Sequence, residues 1–147
     1  MASVPVERTS LRQALRKYVE ARQAALTEAR RVLDISELDA RALLFVADHP
    51  GARPTRLREY LGITSAGVTT LVDRLERRGI VRRDIDRKDR RVSHITLTMD
   101  LDAEPWSALT QFDRDFEAAI AASDAGDTAE LAAALDALTT SVIESGR

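Results

Sequence analysis

The chain has 147 residues, 44% of them apolar and only 4% aromatic, which suits one domain with a core of Leu, Val, Ile and Ala. Its net charge of −2, taken whole, argues against a nucleic-acid partner, yet residues 53–91 hold twelve Lys and Arg against six Asp and Glu while the remainder holds ten against eighteen; one basic segment in an acidic frame is the footprint of a DNA-facing surface. The absence of cysteine excludes disulfides, thiolate metal sites and thiol-based sensing, and the lack of an apolar membrane-spanning run or a signal-peptide segment leads to the expectation of a cytoplasmic protein with no membrane partner.

Met1–Thr9 reads as a short arm. Ser10-Leu11-Arg12-Gln13 has the pattern of a capping box, in which the serine hydroxyl and the glutamine amide satisfy each other's backbone N–H groups. Leu11, Leu15, Leu26, Ala29 and Leu33 then keep helical spacing to about Leu33. Ser36 caps a second helix that runs to about Asp48, where His49-Pro50-Gly51 stops it. Arg53-Pro54 is suited to add one or two strand residues beside a later hairpin.

The next stretch carries the most information. Thr55 is the expected N-cap of a short helix with Leu57 and Leu61 on one face, ended by Gly62. Thr64 is the expected N-cap of a further helix whose inward side is Val68, Leu71, Val72 and Leu75 and which ends at Gly79. Two helices about this turn form a helix-turn-helix pattern. The outward side of the second is small and polar: Ser65, Ala66, Gly67, Thr69 and Thr70, then Arg74. Small residues allow close approach to base edges, hydroxyls can bond bases or phosphates, and threonine methyls can meet thymine methyls. An ordinary solvated face would look similar. Thr55, Arg77 and Arg82 flank this face as candidate phosphate contacts. Ile80–Arg83 and Val92–Leu97 then read as two strands around a charged connection tipped with Arg87, Lys88, Arg90 and Arg91. A basic finger directly after a recognition-type helix is suited to phosphates or a minor groove.

A fresh helix is expected from near Asp102, with Pro105 in its first turn and Trp106, Leu109, Phe112 or Asp113, Phe116 and Ile120 on its apolar side. Residues 124–127 read as a loop, with Asp127 as the cap of a last helix carrying Leu131, Leu135, Leu138 and Val142.

Leu57-x-x-x-Leu61-Gly62-Ile63, then Val68-Thr69-x-Leu71-Val72-Asp73-Arg74-Leu75-Glu76-x-x-Gly79-Ile80-Val81, then Asp86-Arg87-Lys88-Asp89-Arg90-Arg91 with Leu97-Thr98 six residues on, resembles the MarR family of transcriptional regulators. The departure is Arg58, where the family usually has a small residue. The resemblance implies a homodimer on a palindromic operator of double-stranded DNA. It implies Ser65, Thr69, Thr70 and Arg74 on the major-groove side, Arg90 or Arg91 in the minor groove, and Asp89 bracing the wing through a nearby arginine. It further implies a small aromatic or phenolic effector, for which Tyr18, Trp106 and Phe112 are the candidate pocket residues.

The expected fold is therefore mainly α with a small β wing, a winged helix-turn-helix flanked by N- and C-terminal dimerisation helices. Residues 1–35 form the arm and first dimerisation helix, 36–98 the DNA-binding domain and 99–147 the C-terminal dimerisation helices, one compact chain overall. Catalysis has little to stand on: the two histidines, His49 and His94, are 45 residues apart and no phosphate loop, nucleophile elbow or metal-spaced histidine pair occurs. No enzyme activity, cofactor or metal is expected. The expected function is sequence-specific DNA binding by a homodimeric repressor released by a small ligand. The alternative is a winged protein-interaction module that meets an acidic partner.

Overall fold

A computed structural model of the chain describes residues 9–146; most of the arm expected over Met1–Thr9 lies outside the described residues. In chain order come α1 (Leu11–Leu33), α2 (Glu37–Asp48), α3 (Pro54–Leu61), α4 (Ser65–Arg77), β1 (Val81–Ile85), β2 (Ser93–Leu97), a 3-10 turn (Trp106–Leu109), α5 (Gln111–Ala122) and α6 (Ala125–Ser145). β1 and β2 pair antiparallel, Val81 opposite Leu97 and Asp84 opposite His94. This is a mainly α chain with a two-stranded wing.

The capping box expected at Ser10 and the similar cap expected at Ser36 are present. Gln13 N–H donates to Ser10 Oγ at 3.2 Å and Ser10 N–H to Gln13 Oε1 at 2.9 Å. At α2, Ser36 and Asp39 exchange the same pair of bonds, each 3.0 Å long. Gly62 caps α3 at φ 67°, a left-handed conformation that glycine adopts without steric cost.

Several boundaries differ from the sequence expectation. Arg53, not Thr55, stands at the cap of α3, because Pro54 takes the first helical position, where its fixed φ fits and its missing N–H costs nothing. The added strand residue is Ala52, bridged to Ile95, one position before Arg53-Pro54. The helix expected from Asp102 is interrupted: Trp106–Leu109 forms a 3-10 turn with Ser107 and Leu109 buried, and α5 starts only at Gln111. Asp124 rather than Asp127 caps α6, its Oδ1 accepting from Gly126 N–H at 3.4 Å, so the expected loop contributes three residues to the helix.

The chain divides into two compact units, one ending at Thr110 and the other beginning at Gln111. The core of the first is contributed by every element up to the 3-10 turn, with Leu43, Val46, Leu57, Val72, Leu75, Ile95 and Leu109 almost wholly removed from water. Burying a side chain of this size stabilises by about 1.5–3 kcal/mol relative to exposure. The second unit is α5 and α6; α5 buries none of its residues, and Phe116, Ile120, Leu131, Leu138, Val142 and Ile143 are exposed. No described helix is long and apolar enough to cross a membrane.

Candidate nucleic-acid interface

Thr64 begins α4 by accepting a hydrogen bond from Gly67 N–H at 3.0 Å. From that start the 3.6-residue period turns Val68, Leu71, Val72 and Leu75 into the core. The same period leaves Ser65, Ala66, Thr69 and Thr70 exposed on the other side. Thr69 Oγ1 donates to the Ser65 carbonyl at 3.0 Å, so its proton is held by the helix while its methyl and lone pairs face solvent. Arg58 of α3, the residue that departs from the family pattern, donates to Ser65 Oγ at 3.2 Å. It links the first helix of the pair to the exposed start of the second.

Arg74 lies at the edge of this face, and its guanidinium is turned inward. It bonds Asp39 Oδ1 at 2.5 Å, and the Asp39 side chain is only 4% exposed. Asp39 thus serves two helices, capping α2 through one oxygen and holding α4 through the other. Arg77 is exposed and its Nε reaches back to the Asp73 carbonyl at 3.3 Å. Thr55 is exposed on the first turn of α3. Arg82 Nε meets both oxygens of Asp84, at 3.1 and 3.0 Å, in a solvent-exposed pair. Such pairs are worth little in water, so a phosphate can compete for the same guanidinium.

Arg83, which the sequence pattern did not single out, clamps the wing to α4. It bonds Asp73 at 2.6 Å and Glu76 at 2.8 Å and reaches the Thr69 carbonyl at 3.5 Å. Arg78 likewise donates to the carbonyls of Asp34 and Leu33, at 2.7 and 3.1 Å, tying the C-terminus of α4 to the end of α1. Both residues sat within an unresolved arginine cluster in the sequence, where spacing alone cannot say which cation turns inward.

At the wing tip Arg87, Lys88 and Arg90 are exposed and make no ion pair among the described residues. Asp89 Oδ1 accepts from Arg91 N–H at 3.0 Å and from Arg91 Nε at 3.2 Å, leaving the rest of that exposed guanidinium open. A second carboxylate shapes the turn more extensively. Asp86 Oδ1 accepts from the N–H groups of Lys88 and Asp89, at 2.7 and 3.3 Å, and Asp86 Oδ2 meets His94 Nε2 at 3.1 Å. The other ring nitrogen, Nδ1, lies 2.9 Å from the Gly51 carbonyl. The hydrogen bond from His94, then those from Lys88 and Asp89 N–H, hold the Asp86 carboxyl below its ordinary pKa. The bonds to Asp86 and then to Gly51 raise that of His94. An Asp two residues before a Lys-Asp turn is the signature of such side-chain-to-backbone bonding, and it was the available signal for Asp86.

Tyr18 is half-buried on α1, Trp106 opens the 3-10 turn against the core, and Phe112 lies in the second unit, 6.3 Å from the Phe116 ring. A cleft of about 670 Å³ between α1 and α2 is lined by none of them; its walls include Arg22, Leu26, Arg30, Arg41, Phe45 and Tyr60. Phe45 stacks on Tyr60 with centroids 4.5 Å apart, and on His49 at 4.4 Å. Arg41 lies over the Tyr60 ring at 5.5 Å, within cation–π range. No group of three or more His, Asp or Glu suited to a metal ion occurs among the described residues.

Residues 33–92 match the sequence model of the MarR family. No curated protein matches the sequence. Among solved structures, a mutant Staphylococcus aureus MepR bound to an oligodeoxyribonucleotide is 20% identical with a TM-score of 0.60, over 92% of this chain and 99% of that one. S. aureus MepR bound to ethidium bromide is 19% identical with a TM-score of 0.65, over 91% and 97%. A mutant MarR from E. coli is 21% identical with a TM-score of 0.59, over 90% and 98%. At this identity these likenesses establish the fold.

Proposed function

We propose, from the match of residues 33–92 to the MarR family model, that the chain is a sequence-specific DNA-binding transcriptional regulator of that family. It acts as a homodimeric repressor on a pseudo-palindromic operator and is released by a small aromatic ligand. The observation that carries the reading is the pairing of two surfaces: the small, hydroxyl-bearing face of α4, with Ser65, Ala66, Thr69 and Thr70 exposed, and a wing tip whose Arg87, Lys88 and Arg90 side chains make no ion pair among the described residues. Uncommitted cations beside a helix that admits close approach are what phosphate and groove contacts require. Ser65, Thr69 and Thr70 read the major groove. Thr55, Arg77 and Arg82 hold backbone phosphates, and Arg87, Lys88, Arg90 and Arg91 serve the wing contact. Two copies of α4 would lie about 34 Å apart to meet successive turns of the groove. The aromatic-lined cleft beside α1 and α2 supports the ligand, as does the ethidium-bound MepR, a protein of the same fold.

The test is fluorescence anisotropy with duplex DNA selected by the protein from a random pool, at two salt concentrations, for the wild type and Arg91→Ala. Tight binding that prefers a palindrome and weakens steeply with salt is expected, because each neutralised phosphate releases counterions. Arg91→Ala weakens it by about tenfold or more, the loss of one desolvated charged contact, with its oligomeric state unchanged. Weak binding without sequence preference would favour the protein-interaction alternative, and unchanged affinity in Arg91→Ala would remove that residue from the interface.

A further inference from the structure

His94 sits at the root of the wing between two groups that can only accept hydrogen bonds. Its Nδ1 is 2.9 Å from the Gly51 carbonyl, in the turn between α2 and α3, and its Nε2 is 3.1 Å from Asp86 Oδ2. A neutral imidazole carries one N–H and can satisfy only one of them; the imidazolium satisfies both. Asp86 is in turn the residue that folds the wing tip, through the N–H groups of Lys88 and Asp89. One continuous chain of hydrogen bonds therefore runs from the helix-turn-helix scaffold at Gly51, through the ring, to the turn that presents Arg87, Lys88, Arg90 and Arg91. We infer that His94 is a positioning residue for DNA binding, holding the basic wing at its working angle as an imidazolium, so that loss of its proton loosens the wing and weakens DNA.

Asp86 faces the ring from the wing turn and favours the proton, and Arg53, ahead of α3, opposes it at longer range. Asp84 stands opposite His94 in the strand register, but its carboxylate is taken by Arg82. The sum of these interactions raises the His94 pKa above its ordinary value, with the Asp86 bond the largest cause. The proton is therefore retained through the acid side of neutrality and given up as pH rises through that elevated value. His49, the other histidine, caps α2, and its ring nitrogen Nδ1 lies 3.0 Å from the Phe45 carbonyl, outside this chain of hydrogen bonds.

The inference rests on the DNA-binding reading, and its experiment separates the two. The affinity of the wild type, His94→Asn and His49→Asn for a labelled duplex selected by the protein at pH 6 is measured from pH 6 to pH 9 at constant salt. Alongside it, the imidazole of His94 is titrated by NMR in the DNA-free protein. Expected are an NMR pKa above the ordinary imidazole value, with both ring nitrogens protonated at pH 6. The dissociation constant of the wild type and of His49→Asn should rise by about tenfold across the range, the worth of one charge-assisted hydrogen bond. His94→Asn should give a flat profile near the wild type's high-pH affinity. An ordinary or lowered NMR pKa overturns the inference even if His94→Asn fails to fold. A wild-type profile that stays flat, or one that persists in His94→Asn, overturns it while leaving DNA binding standing. No DNA binding at any pH overturns both readings.

Discussion

At the scale of single residues, the cations of α4 and the wing include two groups that differ in what they touch. Arg83, Arg78 and Arg74 are bonded to protein partners, on Asp73 and Glu76, on the end of α1, and on Asp39. Arg87, Lys88 and Arg90 are turned out. Arg74 is the instructive case, because the pattern of the sequence puts it on the DNA-reading face. Its partner Asp39 is buried, and an ionised carboxylate that loses its counter-charge there carries a desolvation penalty. Arg74→Ala is therefore expected to lower stability in chemical denaturation by about 1–3 kcal/mol, in line with leaving a buried acceptor without its donor. Asp39→Asn in the same background should recover part of the loss, since the uncompensated charge is then gone. Full stability in Arg74→Ala, with affinity lost at one base position only, would return Arg74 to the groove. The pairing could not have been foreseen: Asp39 and Arg74 are 35 positions apart, and Asp39 already had a sufficient local role in the capping box.

At the scale of elements, what the sequence disclosed was what local chemistry decides. Both capping boxes, the stop at His49-Pro50-Gly51 and the Thr64 cap of α4 involve residues three or four apart, and those appear as expected. What it did not disclose depends on distant packing or on competing local choices. Burial of Ser107 and Leu109 against the core interrupts the helix expected from Asp102. Asp124 and Asp127 are both acceptable caps, and the earlier one starts α6. Of the candidate site, the exposed face of α4 and the charged tip were legible from period and composition. The Arg83 clamp and the link from Gly51 through His94 to Asp86 were not, because they join segments with no fixed spacing. The cap of α4 offers a direct check on the local rules. Thr64→Ala removes the acceptor for Gly67 N–H, 3.0 Å away, and should cost about 1 kcal/mol of unfolding free energy. Since Ser65, Ala66, Thr69 and Thr70 are unchanged, the bound complex should keep its base preferences. A measured loss near zero would mean that water replaces the hydroxyl and that α4 is held by its core face alone.

For the whole molecule, two features support the proposed homodimer. A single α4 reads only a few base pairs, and in the second unit Leu131, Leu138 and Val142 recur at helical spacing along α6 yet remain exposed. An apolar stripe of this kind is normally covered in a stable protein, and in a symmetric dimer the same stripe on each chain covers the other. The acidic excess outside residues 53–91 fits the proposed function, under which it would keep the rest of the chain off DNA and concentrate attraction on the helix-turn-helix and wing. Leu138→Glu with Val142→Glu would place four like charges across a two-fold interface. Sedimentation equilibrium should then report the mass of one chain instead of two. Operator affinity should fall by about a hundredfold or more, because the second half-site is no longer delivered at high effective concentration. The wing and α4 are untouched by these substitutions, so affinity for a single half-site should persist. A double variant that remains dimeric would move the interface to another face of the chain. A wild type that sediments as a monomer and still selects a palindrome would require the two copies to meet only on DNA.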